Sequence, residues 1–502
     1  MVFSSIEFIY LFLPPVLLVY LVLRALKWEQ GIILWLILAS LGFYAWWSPV
    51  HLILLIGSVI FNYTLHHYIL KHKSKAVLTL GIVANLATLA YFKYADFLIA
   101  NVAAISGLNL PMLNIILPLA ISFFTFQQIS FLYDTYIGRI HHCDFSRYCL
   151  FVVFFPQLIA GPIVLQKHTI PQFHLSNFQK QLFLNLSIGA TLFIIGLFKK
   201  IVIADGMAPL VNQVFGLAEA GHSVPMQAAW IGTFAYTFQI YFDFSGYCDM
   251  ALGLARLFGI KLPINFNSPY KALNIVDFWR RWHITLSAFL RDYLYIPLGG
   301  NKKGKLRRYI NLMATMILGG LWHGASWNFV FWGFLHGFYL TVNHAWGFVP
   351  KRDFGIPAPI LRFFAHAITM VAVMVAWVFF RALNFEGAGN ILIGMFGLTQ
   401  AYDPNLWAQT ITDTGYIWLS IIGLSAFVVW LPNSIELTQK YRPVLHVRNA
   451  VREAWGIAAY FKEAFSWRPS RGWAAVFFII GTLSLIQIYR LQGLTEFIYF
   501  NF

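Results

Sequence analysis

Two histidines and the polar residues around them are where this chain could do chemistry. His323 lies in Gly319-Gly320-Leu321-Trp322-His323-Gly324, within a run from Tyr309 to Pro350 that has no Asp, Glu, Lys or Arg. Imidazole titrates near neutral pH, and an ionisable side chain in such a run usually lines a pathway or a reaction site. Flanking glycines let a second backbone or a thin substrate come close. A bridging imidazole buried between two helices is the equally weighted structural alternative. His336 and His344 share the uncharged run without the glycines and read as structural.

The second histidine, His283, follows Asp277-Phe278-Trp279-Arg280-Arg281-Trp282. At helical spacing Trp279, His283, Leu286 and Leu290 share one face, and Arg280, Ile284, Ser287 and Arg291 another. A satisfied core histidine is the default for that position. Arg280 and Arg281 read as interface anchors or as contacts for a phosphate-bearing donor. Asp243 and Asp249 enter an apolar stretch six residues apart, roughly 240° around a helix, so they form no acid/base dyad. Ion pairs with nearby arginines are as good an account of them as catalysis. Cys143, Cys149 and Cys248 lack paired spacing and imply no disulfide framework. His141-His142-Cys143 has no second ligand pair around it, and no metal is expected.

What must position these residues is a membrane bundle. Of 502 residues, 59% are hydrophobic and 11% charged, with a mean hydropathy of +0.67, which describes an all-α integral membrane protein and not a soluble one. Apolar stretches near 6 to 24, 31 to 47, 50 to 70, 77 to 100, 112 to 132, 148 to 166, 182 to 203, 226 to 242, 309 to 347, 361 to 380, 415 to 432 and 473 to 492 predict roughly 10 to 13 crossings in a single domain, 1–502. A helix from Arg308 would carry His323 about 22 Å inward. Residues 243–308, with Pro263, Pro269 and Pro297, predict interfacial or re-entrant helices. Residues 433–473, with seven basic and three acidic residues, predict an amphipathic cytoplasmic segment.

The net charge of +16 is divided among Lys71, Lys73 and Lys75; Lys199 and Lys200; and Lys302, Lys303, Lys305, Arg307 and Arg308. Read as loops, these clusters mark cytoplasmic ends. Their counter-charge is anionic membrane lipid, and no nucleic-acid partner is expected. The first span lacks a basic leader and a cleavage site, and Arg24 and Lys27 follow it, so it is expected to be a retained anchor with its N-terminus outside.

The segment from Phe242 to His336 resembles the membrane-bound O-acyltransferase superfamily, in its bacterial alginate O-acetyltransferase branch. The resemblance rests on Tyr241-Phe242-Asp243-Phe244-Ser245-Gly246-Tyr247, Asn265-Phe266-Asn267-Ser268-Pro269-Tyr270, Asp277 to Ser287, Leu290 to Asn301 and Trp322-His323-Gly324. Met1 to Ser5, Phe43 to Trp47, Tyr91-Phe92-Lys93-Tyr94, Ile159 to Pro162 and Trp377 to Ala382 also fit. It covers most of residues 1 to 390. Cys248 stands where serine is expected and Phe289 where tryptophan is common, and neither change removes a group the chemistry needs.

The resemblance implies an O-acetyltransferase of the bacterial inner membrane with helices around a central tunnel. It would pass acetyl from cytoplasmic acetyl-CoA to an extracytoplasmic polysaccharide, alginate-type or peptidoglycan, through a periplasmic or membrane-anchored transferase partner. It makes His323 catalytic and His283 a second site position, and needs no bound cofactor. Trp322, Gly324, Asp243, Ser245, Asn267, Arg280 and Arg281 are the expected substrate and tunnel residues. A transporter or flippase of acyl or glycan-linked lipid, and an O-acyltransferase acting on a lipid or secreted protein, are the alternatives.

Overall fold

The computed structural model describes residues 1–159, 161–302, 304–348, 355–399, 401–445, 465–490 and 498. Ala160, Lys303 and the middle of the expected amphipathic segment, 446–464, lie outside the described residues.

Polar caps punctuate an apolar sequence. Ser48 accepts from the His51 amide ahead of the Pro49–His72 helix, and Ser74 from Val77 ahead of Lys75–Ser106. Each cap satisfies an amide that the first helical turn leaves without a partner. Lys73, in the left-handed region at φ 46°, ends the first of these helices and lets the chain reverse within two residues. By length and composition, six described helices can cross a membrane: Glu7–Ala25, Pro49–His72, Lys75–Ser106, Leu182–Glu219, Ala358–Arg381 and Arg471–Arg490. A bent pair, Pro404–Thr410 and Thr414–Trp430, makes a seventh. No β-strand occurs among the described residues, only an isolated bridge between Pro263 and Leu445.

Several expected spans are drawn differently. Residues 148–166 do not form one helix: Phe145–Val153 ends before Phe155–Leu158, and Pro156, Gly161 and Pro162 prevent one continuous helix from running through the stretch. The expected break at 243 falls at 258 instead, because Asp243 to Leu257 continue a helix that starts at Met226. Short helices then come at Ile275–Arg281 and Ile284–Leu290. The stretch 309 to 347 is a hairpin of Lys305–His323 and Trp327–Trp346, with Ser326 capping the second helix through the Asn328 amide.

Met226–Leu257, about 48 Å long at 1.5 Å per residue, is the buried axis of the bundle. From Ala235 onward every one of its residues is buried. It packs antiparallel on Leu182–Phe198 through two glycine pairs seven residues apart. A Cβ on Gly196 would stand 2.4 Å from the Gly246 carbonyl oxygen, and one on Gly253 would stand 2.6 Å from that of Gly189. Without a hydrophobic driving force between helices in lipid, such backbone approach is a main source of association.

Lys199 and Lys200 begin a π-helical stretch, Lys199–Ala204, inside the continuous Leu182–Glu219 helix. They are buried, not loop residues marking a cytoplasmic end. Lys199 Nζ is 2.6 Å from Asp249, while Lys200 Nζ bridges Asp243 at 2.6 Å and Asp205 at 2.8 Å. The partners of Asp243 and Asp249 are therefore lysines at the start of that π-helical stretch, not arginines.

Candidate active site

His323 is the last residue of its helix, with Gly324 extended beyond it. A helix end exposes carbonyls that need donors, and here the neighbouring Lys75–Ser106 helix supplies them. Tyr94 donates its hydroxyl to the Leu321 carbonyl at 2.8 Å, and Lys93 Nζ donates to those of Trp322 and His323 at 2.6 and 3.1 Å. The ammonium thus sits at the negative end of the helix dipole, against the backbone that carries His323.

The glycines settle which close approach they serve. A Cβ on Gly320 would lie 2.2 Å from the Phe329 carbonyl oxygen, and one on Gly324 would lie 2.2 Å from the Phe329 ring. Gly333, across the hairpin, would meet the Met316 oxygen at 2.4 Å. Gly320, Gly324 and Gly333 admit the facing hairpin helix and its side chains.

His283 does not extend a helix face from Trp279. The chain breaks between the two short helices, and His283 stands there at φ 42° in the left-handed region, which is uncommon for a residue with a side chain. That turn, which helical periodicity could not foresee, aims the ring inward. His283 Nδ1 is 3.1 Å from Asn265 Oδ1, the same oxygen that accepts from the Thr285 hydroxyl at 2.9 Å and amide at 3.3 Å. Asn265 in turn donates Nδ2 to Cys248 Sγ at 3.3 Å. An amide oxygen can only accept, so Nδ1 carries the proton, and in the uncharged form of the ring Nε2 holds the lone pair.

The two imidazoles are neighbours, with ring centroids 6.5 Å apart. Around them is an aromatic wall: Trp322 at 4.9 Å, Trp332 at 5.1 Å and Phe380 at 5.2 Å from the His323 ring, and Phe244 edge-on to His283 at 4.8 Å. Both histidines are buried, at 3% and 0% exposure. Trp322 extends the wall by stacking on Phe126, which stacks on Phe289. His336 packs against Phe278 and accepts from Trp279 Nε1 at 3.3 Å, and His344 meets Arg308 at 3.1 Å.

Of the other expected site residues, Trp322 and Gly324 adjoin His323 directly. Ser245 is buried in the central helix, its hydroxyl without a hydrogen-bond partner among the described residues. Asp243 is committed to Lys200 and to the Ile498 amide at 3.1 Å. Asn267 accepts from Asn433 at 3.1 Å, and Arg281 Nε pairs with Asp277 at 3.0 Å. Arg280 is exposed and, with Asn267, lines a cavity of about 270 Å3 that also reaches Pro263, Leu445, Thr285 and Phe289. Asn265 and Lys93 are the neighbours that sequence reasoning missed as site residues. A lone lysine in the apolar stretch 77 to 100 was the signal for one of them. Nothing separated Asn265 from Asn267.

A multi-pass helical protein with a pair of buried histidines walled by aromatics has the parts for hydroxyl activation inside a membrane. The chain belongs to the membrane-bound O-acyltransferase family, which it matches over residues 135–383, and it is an acyltransferase. It is similar to a peptidoglycan O-acetyltransferase of Helicobacter pylori, with 46% identity over 79% of this chain and 80% of the relative. A probable alginate O-acetylase of Pseudomonas aeruginosa is 39% identical over 85% of this chain and 81% of its own length. A teichoic acid D-alanyltransferase of Streptococcus thermophilus is 28% identical over 45% of this chain and 57% of its own. Family membership decides for the enzyme over the transporter alternative.

Proposed function

We propose that this protein is an O-acetyltransferase of the bacterial inner membrane that moves acetyl from cytoplasmic acetyl-CoA toward a cell-envelope polysaccharide, peptidoglycan or an alginate-type polymer, and that His323 is its catalytic base. The observation that carries the reading is the His283–His323 pair, buried together at the end of a helix whose terminal carbonyls are held by Lys93 and Tyr94. The names and identities of the relatives support acetyl as the group and envelope polysaccharide as the acceptor.

In this mechanism His323 accepts the proton of an acceptor hydroxyl as its oxygen attacks the thioester carbonyl. The C–O bond forms, the C–S bond breaks, and the departing thiolate takes the proton back from the imidazolium. His283, whose Nδ1 proton is spent on Asn265, keeps Nε2 as an acceptor to orient the reacting hydroxyl or its neighbour. Trp322, Trp332 and Phe380 exclude water, so that acetyl is not lost to hydrolysis. Residues 1–502 read as a single membrane domain, and a polymer held outside that membrane favours hand-over through a periplasmic partner.

The test is acetyl transfer from labelled acetyl-CoA in membranes carrying wild type or His323→Ala at matched protein level. Loss of about 10²- to 10⁴-fold is expected for a general base. Transfer that survives the substitution removes His323 from the mechanism. Full-rate acetylation of polymer by the purified protein alone removes the partner.

A further inference from the structure

At the end of the central helix the chain gathers positive charge without a matching carboxylate among the described residues. Arg256 occupies the last turn of Met226–Leu257 and is 4% exposed. Its Nε is buried without a hydrogen-bond partner, and none of the ion pairs among the described residues involves Arg256, Lys261, Lys180 or Arg442. A buried guanidinium nitrogen without a partner among the described residues is costly. The negative end of the helix dipole offsets part of that cost but offers Nε no acceptor.

Three turns of backbone bring the other cations beside it. Gln172 clamps Lys261 from both sides, accepting from its amide at 2.9 Å and donating to its carbonyl at 2.8 Å. The Leu445 amide donates to the Leu262 carbonyl at 3.0 Å, which carries in Arg442, itself in the left-handed region at φ 46°. Asn185 holds the Lys180 carbonyl at 3.0 Å. Burial first, and then the positive charges of Arg256, Arg442 and Lys180, push the Lys261 ammonium down to about 8. From exposed Lys180 and Arg442 through half-buried Lys261 to buried Arg256, the charges are graded inward.

The site also leads somewhere. Pro263 and Leu445, close in sequence to Lys261 and Arg442, line the 270 Å3 cavity that Thr285 and Phe289 also line. Thr285 shares the Asn265 oxygen with His283. We propose that Lys180, Arg256, Lys261 and Arg442 form a phosphate-binding site which, resting on the donor reading above, anchors the nucleotide end of coenzyme A while its thioester arm enters the cavity toward His283. Clustered guanidinium and ammonium groups suit phosphate oxygens, and a bound anion would relieve both the mutual repulsion and the unpartnered Nε.

The same phosphate chemistry is offered by anionic lipid headgroups, and the experiment separates the two sources. Purified full-length wild type, Lys261→Ala/Arg442→Ala and the control Lys71→Ala/Lys73→Ala are compared in non-ionic detergent by equilibrium dialysis of labelled coenzyme A, with 3′,5′-ADP as competitor. The same proteins in nanodiscs are assayed for retention of phosphatidylglycerol over phosphatidylcholine. Coenzyme A binding weakened about tenfold or more in the site variant alone, with 3′,5′-ADP competing in wild type, is the expected result. A wild type that takes no coenzyme A but loses phosphatidylglycerol with the site variant keeps the phosphate site and sinks the donor reading. Equal coenzyme A affinity and equal lipid retention in all three proteins overturns the site and leaves the donor reading intact. Arg256→Gln, accepted only if it elutes as wild type on size exclusion, should weaken the same ligand.

Discussion

Two polar clusters are buried around one helix, and they are built on opposite terms. Toward Leu182–Glu219, Asp243 and Asp249, with Asp205 of that helix itself, meet Lys199 and Lys200 in ion pairs of 2.6 to 2.8 Å. On another stripe of the same helix, Phe244 touches His283 and Cys248 touches Asn265, four residues apart and so on one face. The first cluster is full of charge, and its cations are already committed. The second contains two imidazole rings, an amide and aromatic walls, with the backbone-binding Lys93 behind it. Charge in the membrane interior is commonly read as function. Here the charged cluster ties Leu182–Glu219 to Met226–Leu257, and the proposed chemistry falls to the cluster around the two imidazoles.

That contrast can be broken most directly at Lys200. Lys200→Met leaves Asp205 and Asp243 buried without their cation, and a loss of about 3–5 kcal/mol is expected, read as a lowered melting temperature in detergent and lower accumulation in membranes. A Lys200→Met protein that melts like wild type would mean that the cluster is not a lock. His323→Ala should show the opposite pattern, with transfer lowered about 10²- to 10⁴-fold and melting near that of wild type, and a collapse in stability equal to that of Lys200→Met would erase the distinction.

Smaller effects sharpen the uncharged side. Gly320→Ala drives a methyl into the Phe329 carbonyl, and about 1–3 kcal/mol of destabilisation is expected from overpacking the hairpin, measured by thermal melting. Lys93→Met withdraws the donor from the carbonyls of Trp322 and His323. As a positioning residue it should lower kcat about tenfold, the equivalent of about 1.4 kcal/mol, with little change in KM and partial rescue by Lys93→Arg. A KM effect without a kcat effect would place Lys93 in binding instead.

Much of this was readable in the chain. Hydropathy and length exposed an all-α membrane protein, and the uncharged run singled out His323, because a titratable group in an apolar environment stands out in composition alone. The Trp322-His323-Gly324 signature and its companion motifs identified the family. Lys199 and Lys200 misled, since two adjacent lysines after an apolar stretch look like a membrane boundary. Only the carboxylates from 43 to 50 residues away reveal them as an interior pair.

What tertiary structure alone decided is which groups meet. His283 reaches its neighbour through a left-handed turn that no periodicity encodes, Asn265 and not Asn267 holds its ring, and Lys93 reaches His323 across 230 positions of chain. Local sequence determines propensity and polarity because those are properties of nearest neighbours along the backbone. The identity of a hydrogen-bond or ion-pair partner is a property of distance in space, and helices that pack through glycines 64 positions apart, such as Gly189 and Gly253, set that distance only once the bundle has closed.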